Sequence, residues 1–477
     1  MSDEIVWMPG YELAARIRDR DLSPVEVAQA VLAQLEKVEP SLNAFVTVVP
    51  ELALEEARRA EKAVISLPVD KLPKLHGVPM TVKDLSETAG VRTTYGAVAY
   101  KDHVPDHDDI GVGRLRAAGA VLIGKTTTPE HGMLGITESA LTGITNNPWA
   151  VTHTSGGSSG GAAASVAAGV APFAWGSDGG GSIRVPAACC GVVGLKASPG
   201  RIPLGRGFDL VGVVGPLTRN VRDAALLLDV TAGPHARDAI SLPPYPGSFE
   251  AVTIGASVAG LRFAYSPDFG TAEVDREVLA VVAAALRDLE GAGAHVDVVD
   301  IDLPDPIDFF EQFWAPAFAA HLAEQTPDGA LGDTPLHPVM RELAEIGKNL
   351  TALGAYRAAT ETKSQILDGF LSALEGHDLV ISPTMPVTAF PHPGPEAGPT
   401  HVNGIPVRRP MLDFHRLTEP PSHASLPAIT VNCGFTAEGL PVGLQIIGPL
   451  RADAAVLAAA AGFEAITTWS QRRPPLS

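Results

Sequence analysis

Residues 155–187 read SGGSSGGAAASVAAGVAPFAWGSDGGGSIRVPA, and their texture decides the fold. The stretch opens on Gly and Ser and passes into a run of small helix-forming residues, Gly160 to Gly169. It then becomes apolar over APFAW and ends on Gly179, Gly180 and Gly181 just before Ser182. A helix followed by a strand can carry the chain out and back, so Ser158 and Ser182, 24 positions apart, stand at the two ends of one excursion. From Ser155 to Gly161 every side chain is a hydroxymethyl group or a hydrogen, which suits a linker or a place where backbone meets a ligand closely.

The same alternation continues on both sides. Upstream, GVPMTVKD (77–84) and AVLIGKT (120–126) are short apolar runs, and GVGRLRAAG (111–119) between them has helical spacing. The first 65 residues are mainly helical, with Ser23 at an N-cap and Pro24 at the first helical position. Downstream, TRNVRDAALLLDVT (218–231) predicts a helix, LRFAYS and HVDVVDIDL predict strands around a helix, and residues 306–377 are mainly helical. A strand at DLVISP then runs into a Pro-rich loop, and PAITVNCGF, PVGLQIIGP and DAAVLAAAAGFEAI close the chain as two strands and a helix. Alternating elements of this kind predict an α/β fold. With no repeat and no clean linker, residues 1–477 read as a single domain.

Composition excludes several functions. Acidic residues outnumber basic ones by 54 to 35, for a net charge of −19, and no concentrated basic face is present, so a nucleic-acid partner is not expected. The start, MSDEIVWMPG, shows neither a secretory nor a transit segment, and the uncharged candidate for a span, 160–176, is too short and too weakly apolar to cross a bilayer. Cys189, Cys190 and Cys433 have neither disulfide nor metal-ligand spacing, and the 14 histidines show no clustered ligand pattern. A cytoplasmic protein without metal or other cofactor is the expectation.

Three motifs compete for chemistry. Gly119 to Thr126, GAVLIGKT, matches the phosphate-binding pattern G-x-x-x-x-G-K-[ST], but its intervening residues have strand character, and Thr126-Thr127-Thr128-Pro129 opens a helix poorly. Gly156 to Gly160 matches the nucleophile elbow G-x-S-x-G, for which His415 or His423 could serve as the downstream base. The third is SDGGGSIRVPA (177–187), where the backbone N–H groups of Gly179, Gly180 and Gly181 can approach a bound group unhindered and Ser182 becomes a candidate nucleophile. A tight turn would need the same glycines. Lys83 and Asp84 end an apolar strand; in a Gly-lined pocket desolvation would lower the lysine's pKa and make it a base, whereas in solvent it would pair with Asp84.

Taken together, LHGVPMTVKD (75–84), GAVLIGKTTTPE (119–130), NNPW (146–149), SGGSSGGAAASVAAG (155–169), GSDGGGSIRVPAACCGVVGLKAS (176–198) and GLPVGLQIIGP (439–449) resemble the amidase signature hydrolases. The likeness covers most of the chain in the right order. It implies a large mixed, twisted sheet with helices on both faces, divided into N-terminal helices (1–67), the signature core (68–235), a variable region with helical and Pro-rich pocket walls (236–410) and the C-terminal part of the core (411–477). It also implies a Lys83, Ser158, Ser182 triad, with a cis peptide between Gly157 and Ser158. The oxyanion hole would come from the backbone of Gly179, Gly180, Gly181 and Ser182, with Gly157, Ser159, Asp178 and Arg184 supporting the site.

The implied activity is hydrolysis of a small-molecule amide, or of a carbamate or ester, by a monomer or homodimer with no membrane. Family members that use glutamine hold it with charged residues, including an Asp ahead of the LPA segment. Here His415 takes that position and Asp413 lies two residues away, which weighs against the alternative of a glutamine-hydrolysing amidotransferase subunit. Phe309, Phe310, Phe313, Trp314 and Phe318 either pack one helix face into the core or line the pocket, in which case apolar or aryl substrates are favoured.

Overall fold

Eleven short segments, most rich in β-branched and aliphatic residues, assemble into one sheet in a computed structural model that describes residues 2–205, 211–324 and 336–476. They are β1 (Phe45–Val48), β2 (Pro79–Lys83), β3 (Val121–Thr126), β4 (Phe173–Asp178), β5 (Val193–Lys196), β6 (Val213–Thr218), β7 (Arg262–Tyr265), β8 (His295–Val298), β9 (Leu379–Pro383), β10 (Ala428–Phe435) and β11 (Pro441–Ile447). Their spatial order is β1-β3-β2-β4-β6-β5-β10-β11-β9-β7-β8. The sheet is mixed: β2 runs parallel to both β3 and β4, β9-β7-β8 are parallel, and the remaining neighbours are antiparallel.

Parallel strands are covered on both faces, which explains why β2 and β3 are buried at every residue. Five helices bear on the argument: α1 (Pro24–Leu42), α2 (Gly160–Ala167), α3 (Arg184–Cys190), α4 (Pro306–Glu324) and α5 (Glu419–His423). Ser23 caps α1 through Val25 and Glu26 N–H, with Pro24 at the first position. The Ala and Gly side chains of α2 let it lie wholly buried against β2, β3 and β4. Residues 325–335, within the stretch expected to be helical, lie outside the described residues.

GAVLIGKT is strand β3 rather than a phosphate loop. Gly119 precedes the strand, Lys125 and Thr126 end it, and no α-helix begins directly after it. Its Lys125 is fully buried and donates to Ser86 O, Thr88 Oγ1 and Thr93 Oγ1. A nucleotide reading is thereby removed. The Pro-rich segment also differs from expectation. Residues 390–392 pair with 152–154 through Thr154 N–H to Phe390 O and His392 N–H to Thr152 O, so this stretch satisfies its backbone along a neighbouring edge. None of residues 384–410 lines the main cavity.

Candidate active site

The end of β2 delivers Lys83 into the interior, fully buried. The parallel register pairs Val82 with Trp175 of β4, which brings the next residue of β2 alongside Gly176 and Ser177. Lys83 Nζ is hydrogen-bonded to Ser158 Oγ at 2.7 Å and to Ser177 Oγ at 3.0 Å. Burial pushes its pKa down to about 7, against a smaller opposing pull from Asp178. Ser158 is fully buried just ahead of α2, and the Gly157–Ser158 peptide is cis. Gly157 has no room for a side chain, since a Cβ would lie 2.5 Å from Ile136 O.

The returning strand β4 ends in the glycine loop. Ser182, Ser158 and Ser177 all line one cavity of about 760 Å³, together with Gly179 and Gly180. Among the described residues the Ser182 hydroxyl makes no hydrogen bond, and none joins it directly to Ser158 Oγ. The Ser182 carbonyl accepts from Ser159 N–H at 3.2 Å, and Ser159 Oγ donates to Ser177 O at 3.2 Å, tying the two arms of the excursion together.

Beneath the loop lies a buried ion pair. Arg184 grips Asp178 through Nε (2.9 Å) and Nη2 (2.9 Å), and its remaining donors reach Gln445 Oε1 and Ser422 Oγ, both at 2.7 Å. Burial works against ionisation of Asp178, and Arg184 with Lys196 outweighs it, holding the carboxyl below its usual range. Asp178 also accepts from Gly181 N–H at 2.8 Å and Ile183 N–H at 3.2 Å. The expectation for Gly181 therefore needs correction: its N–H is turned toward this carboxylate, a charge-assisted bond that leaves it unavailable to an oxyanion. The N–H groups of Gly179, Gly180 and Ser182 meet no acceptor among the described residues.

The nucleophile-elbow alternative finds no support, since Ser158 Oγ meets Lys83 and no histidine among the described residues. His415 does line the cavity. Asp413 does not, being bound to Arg416 Nε at 2.6 Å and Arg409 N–H at 2.7 Å.

The aromatic run divides between both expected roles. Phe310, Trp314 and Phe318, at i, i+4 and i+8 on α4, line the cavity. Phe309 and Phe313 stack on each other and pack their edges on His423. Sequence reading missed Ser177, Glu419 and the wall formed by Tyr95, Tyr100 and His131. Ser177 could have been found from its place one residue before Asp178 at the end of a strand parallel to β2. The others follow from tertiary packing alone. Among the described residues, no group of three His, Cys, Asp or Glu is placed to hold a metal ion, and no helix is long and apolar enough to cross a membrane.

Comparison with known proteins fits this arrangement. A family model described as "Amidase" matches residues 26–457. The chain is similar to an acylamidase of Rhodococcus erythropolis, at 39% identity over 98% of this chain and 97% of that one. It is similar at 36% identity to a glutamyl-tRNA(Gln) amidotransferase subunit from Moorella thermoacetica, over 99% of both chains. Its fold superposes on the crystal structure of a bacterial aryl acylamidase of the amidase signature enzymes with a TM-score of 0.89, at 28% identity, covering 98% of this chain and 97% of that one. These findings define the class first, an enzyme that hydrolyses amides on a mixed α/β sheet. Within that class, the chain belongs to the amidase signature family.

Proposed function

We propose that the protein cleaves linear amides through an acyl-enzyme on Ser182, with Ser158 and Lys83 as a proton relay. The observation that carries this reading is the buried Lys83 amine, held near a pKa of about 7 and 2.7 Å from Ser158 Oγ, beside a cavity that also holds the Ser182 hydroxyl. Neutral Lys83 takes the Ser158 proton as Ser158 takes that of Ser182, and Ser182 Oγ bonds to the carbonyl carbon. The resulting oxyanion accepts hydrogen bonds from Gly179, Gly180 and Ser182 N–H. Collapse breaks the C–N bond, with the proton passing from Lys83 through Ser158 to the departing amine. Water activated by the same relay then adds to the acyl group, frees Ser182 and releases the carboxylic acid.

Phe310, Trp314 and Phe318 make an apolar wall, which favours apolar or aryl amides and admits aryl carbamates and esters of similar shape. Glutamine fits less well: its α-carboxylate would seek a cation, and no Lys or Arg is among the described residues that line the cavity. The test is a panel of anilides, aliphatic amides, esters and aryl carbamates against the wild type and Ser182→Ala, with mass analysis after a serine-directed phosphonate. Turnover and labelling that both vanish in the variant are the expected result. Undiminished hydrolysis by Ser182→Ala would overturn the assignment.

A further inference from the structure

One buried carboxylate in the cavity wall takes no part in this relay. Glu419, on α5, is 3% exposed and lies so close to Gly180 that a Cβ on that glycine would be 1.9 Å from its Oε1. Oε2 accepts from His423 Nε2 at 2.7 Å and Trp314 Nε1 at 3.4 Å. Oε1 accepts no hydrogen bond among the described residues, and His415 Nδ1 stands 4.0 Å from it. Burial pushes the Glu419 pKa up, but the two histidines outweigh it and bring it to about 2, so the group is a carboxylate at neutral pH.

A negative charge against Gly180 works against an oxyanion bound to that glycine's N–H, unless a positive group lies between them. Of the acidic groups in the cavity lining, Asp178 is already matched by Arg184, and the described lining residues include no Lys or Arg. Burial of His423 pushes its pKa down, so it meets Glu419 as a neutral donor. Among the described residues no Lys or Arg stands between Oε1 and the Gly180 N–H, so a positive group carried by the substrate would meet this carboxylate directly.

We propose that Glu419 is a substrate-recognition residue whose Oε1 accepts a hydrogen bond from a protonated amino group carried near the scissile carbonyl, so that amine-bearing, aminoacyl-type amides are preferred and carboxylate-bearing ones rejected. The proposal rests on the reading that the carbonyl sits at Gly179, Gly180 and Ser182.

The experiment compares kcat/KM at neutral pH for three p-nitroanilides, the alanyl, its isosteric isobutyryl analogue and the succinyl, in wild type and Glu419→Gln. The wild type should prefer alanyl over isobutyryl by roughly tenfold or more, the worth of a charge-assisted hydrogen bond, with succinyl slowest. Glu419→Gln should erase that preference, lowering alanyl cleavage and, with the charge beside Gly180 gone, raising isobutyryl cleavage. Equal cleavage of alanyl and isobutyryl by the wild type would overturn the proposal without any variant. An equal slowing of both by Glu419→Gln would also overturn it, leaving a carboxylate that only holds Trp314 and His423. Silence toward all three anilides with Ser182 unlabelled would instead bring down the hydrolytic reading, and this proposal with it.

Discussion

Strands β2 and β3 lie side by side, and each carries a fully buried lysine near its C-terminal end, yet the two sites are chemically opposite. Lys125 sits among the Ser86 carbonyl, two threonine hydroxyls and the Asp84 carboxylate at 3.9 Å. Lys83 meets two serine hydroxyls and, among the described residues, has no carboxylate within 4.0 Å. Burial lowers both amines, to about 7 for Lys83 and about 8 for Lys125, where Asp84 pulls upward most strongly of the neighbouring acids. Equal depth therefore does not make equal chemistry. Carbonyl and carboxylate neighbours retain the proton on Lys125, while hydroxyl neighbours can exchange with Lys83 in either direction.

The largest effect that would break this contrast is catalytic. Lys83→Met should lower kcat by about a thousandfold, the scale of losing a general base, with circular dichroism unchanged. Lys125→Met should do the reverse: it strands Asp84 and three buried acceptors, so urea titration should show a loss of about 3 kcal/mol while the folded fraction keeps most of its turnover. A comparable catalytic loss in both would erase the distinction.

The pH dependence sharpens it. Activity should rise with pH through about 7 as Lys83 gives up its proton, and Lys83→Arg, which cannot, should be inactive across the range. The same shift acts on stability, because the folded pKa of Lys83 lies below its ordinary value of 10.5. Between the two values the unfolded chain holds a proton that the folded chain has released, so this amine's contribution to stability rises with pH across that window. Below about 7 its full penalty is felt. Lys83→Met should therefore gain melting temperature at neutral and acidic pH and lose that advantage toward pH 10.5. The smallest effect belongs to Ser177→Ala, which removes one of the two hydroxyls and should cost about 1 kcal/mol or less, read as a few-fold change in kcat and a slightly displaced pH profile.

Much of this contrast was legible in the residues. Four apolar side chains between Gly119 and Gly124 identified β3 as a strand in spite of its GKT ending, and the small residues of α2 were read as a helix whose full burial the structure then revealed. Residue types made Lys83 and Ser182 candidates, and the resemblance to the amidase signature hydrolases is what joined them with Ser158 as a triad. The direction of the Gly181 N–H could not be read, since it depends on how Asp178 satisfies its oxygens among Arg184, Gly181 and Ile183. Glu419 was equally hidden. In TEPPSH it looks like the first turn of an exposed helix, and only the approach of α5 to Gly180 puts it in the cavity. The Pro-rich loop was placed at the pocket because loops on a rigid sheet usually set specificity, whereas none of residues 384–410 lines the main cavity.

The guanidinium of Arg184 reaches Gln445, and β10 and β11 occupy the middle of the sheet between β5 and β9. A nascent chain emerging from the ribosome would thus expose all three residues of the proposed relay long before the strands that brace them exist. Competence should appear abruptly, once residue 445 is free to dock, so that partially synthesised chains remain inert toward the amides of the cell.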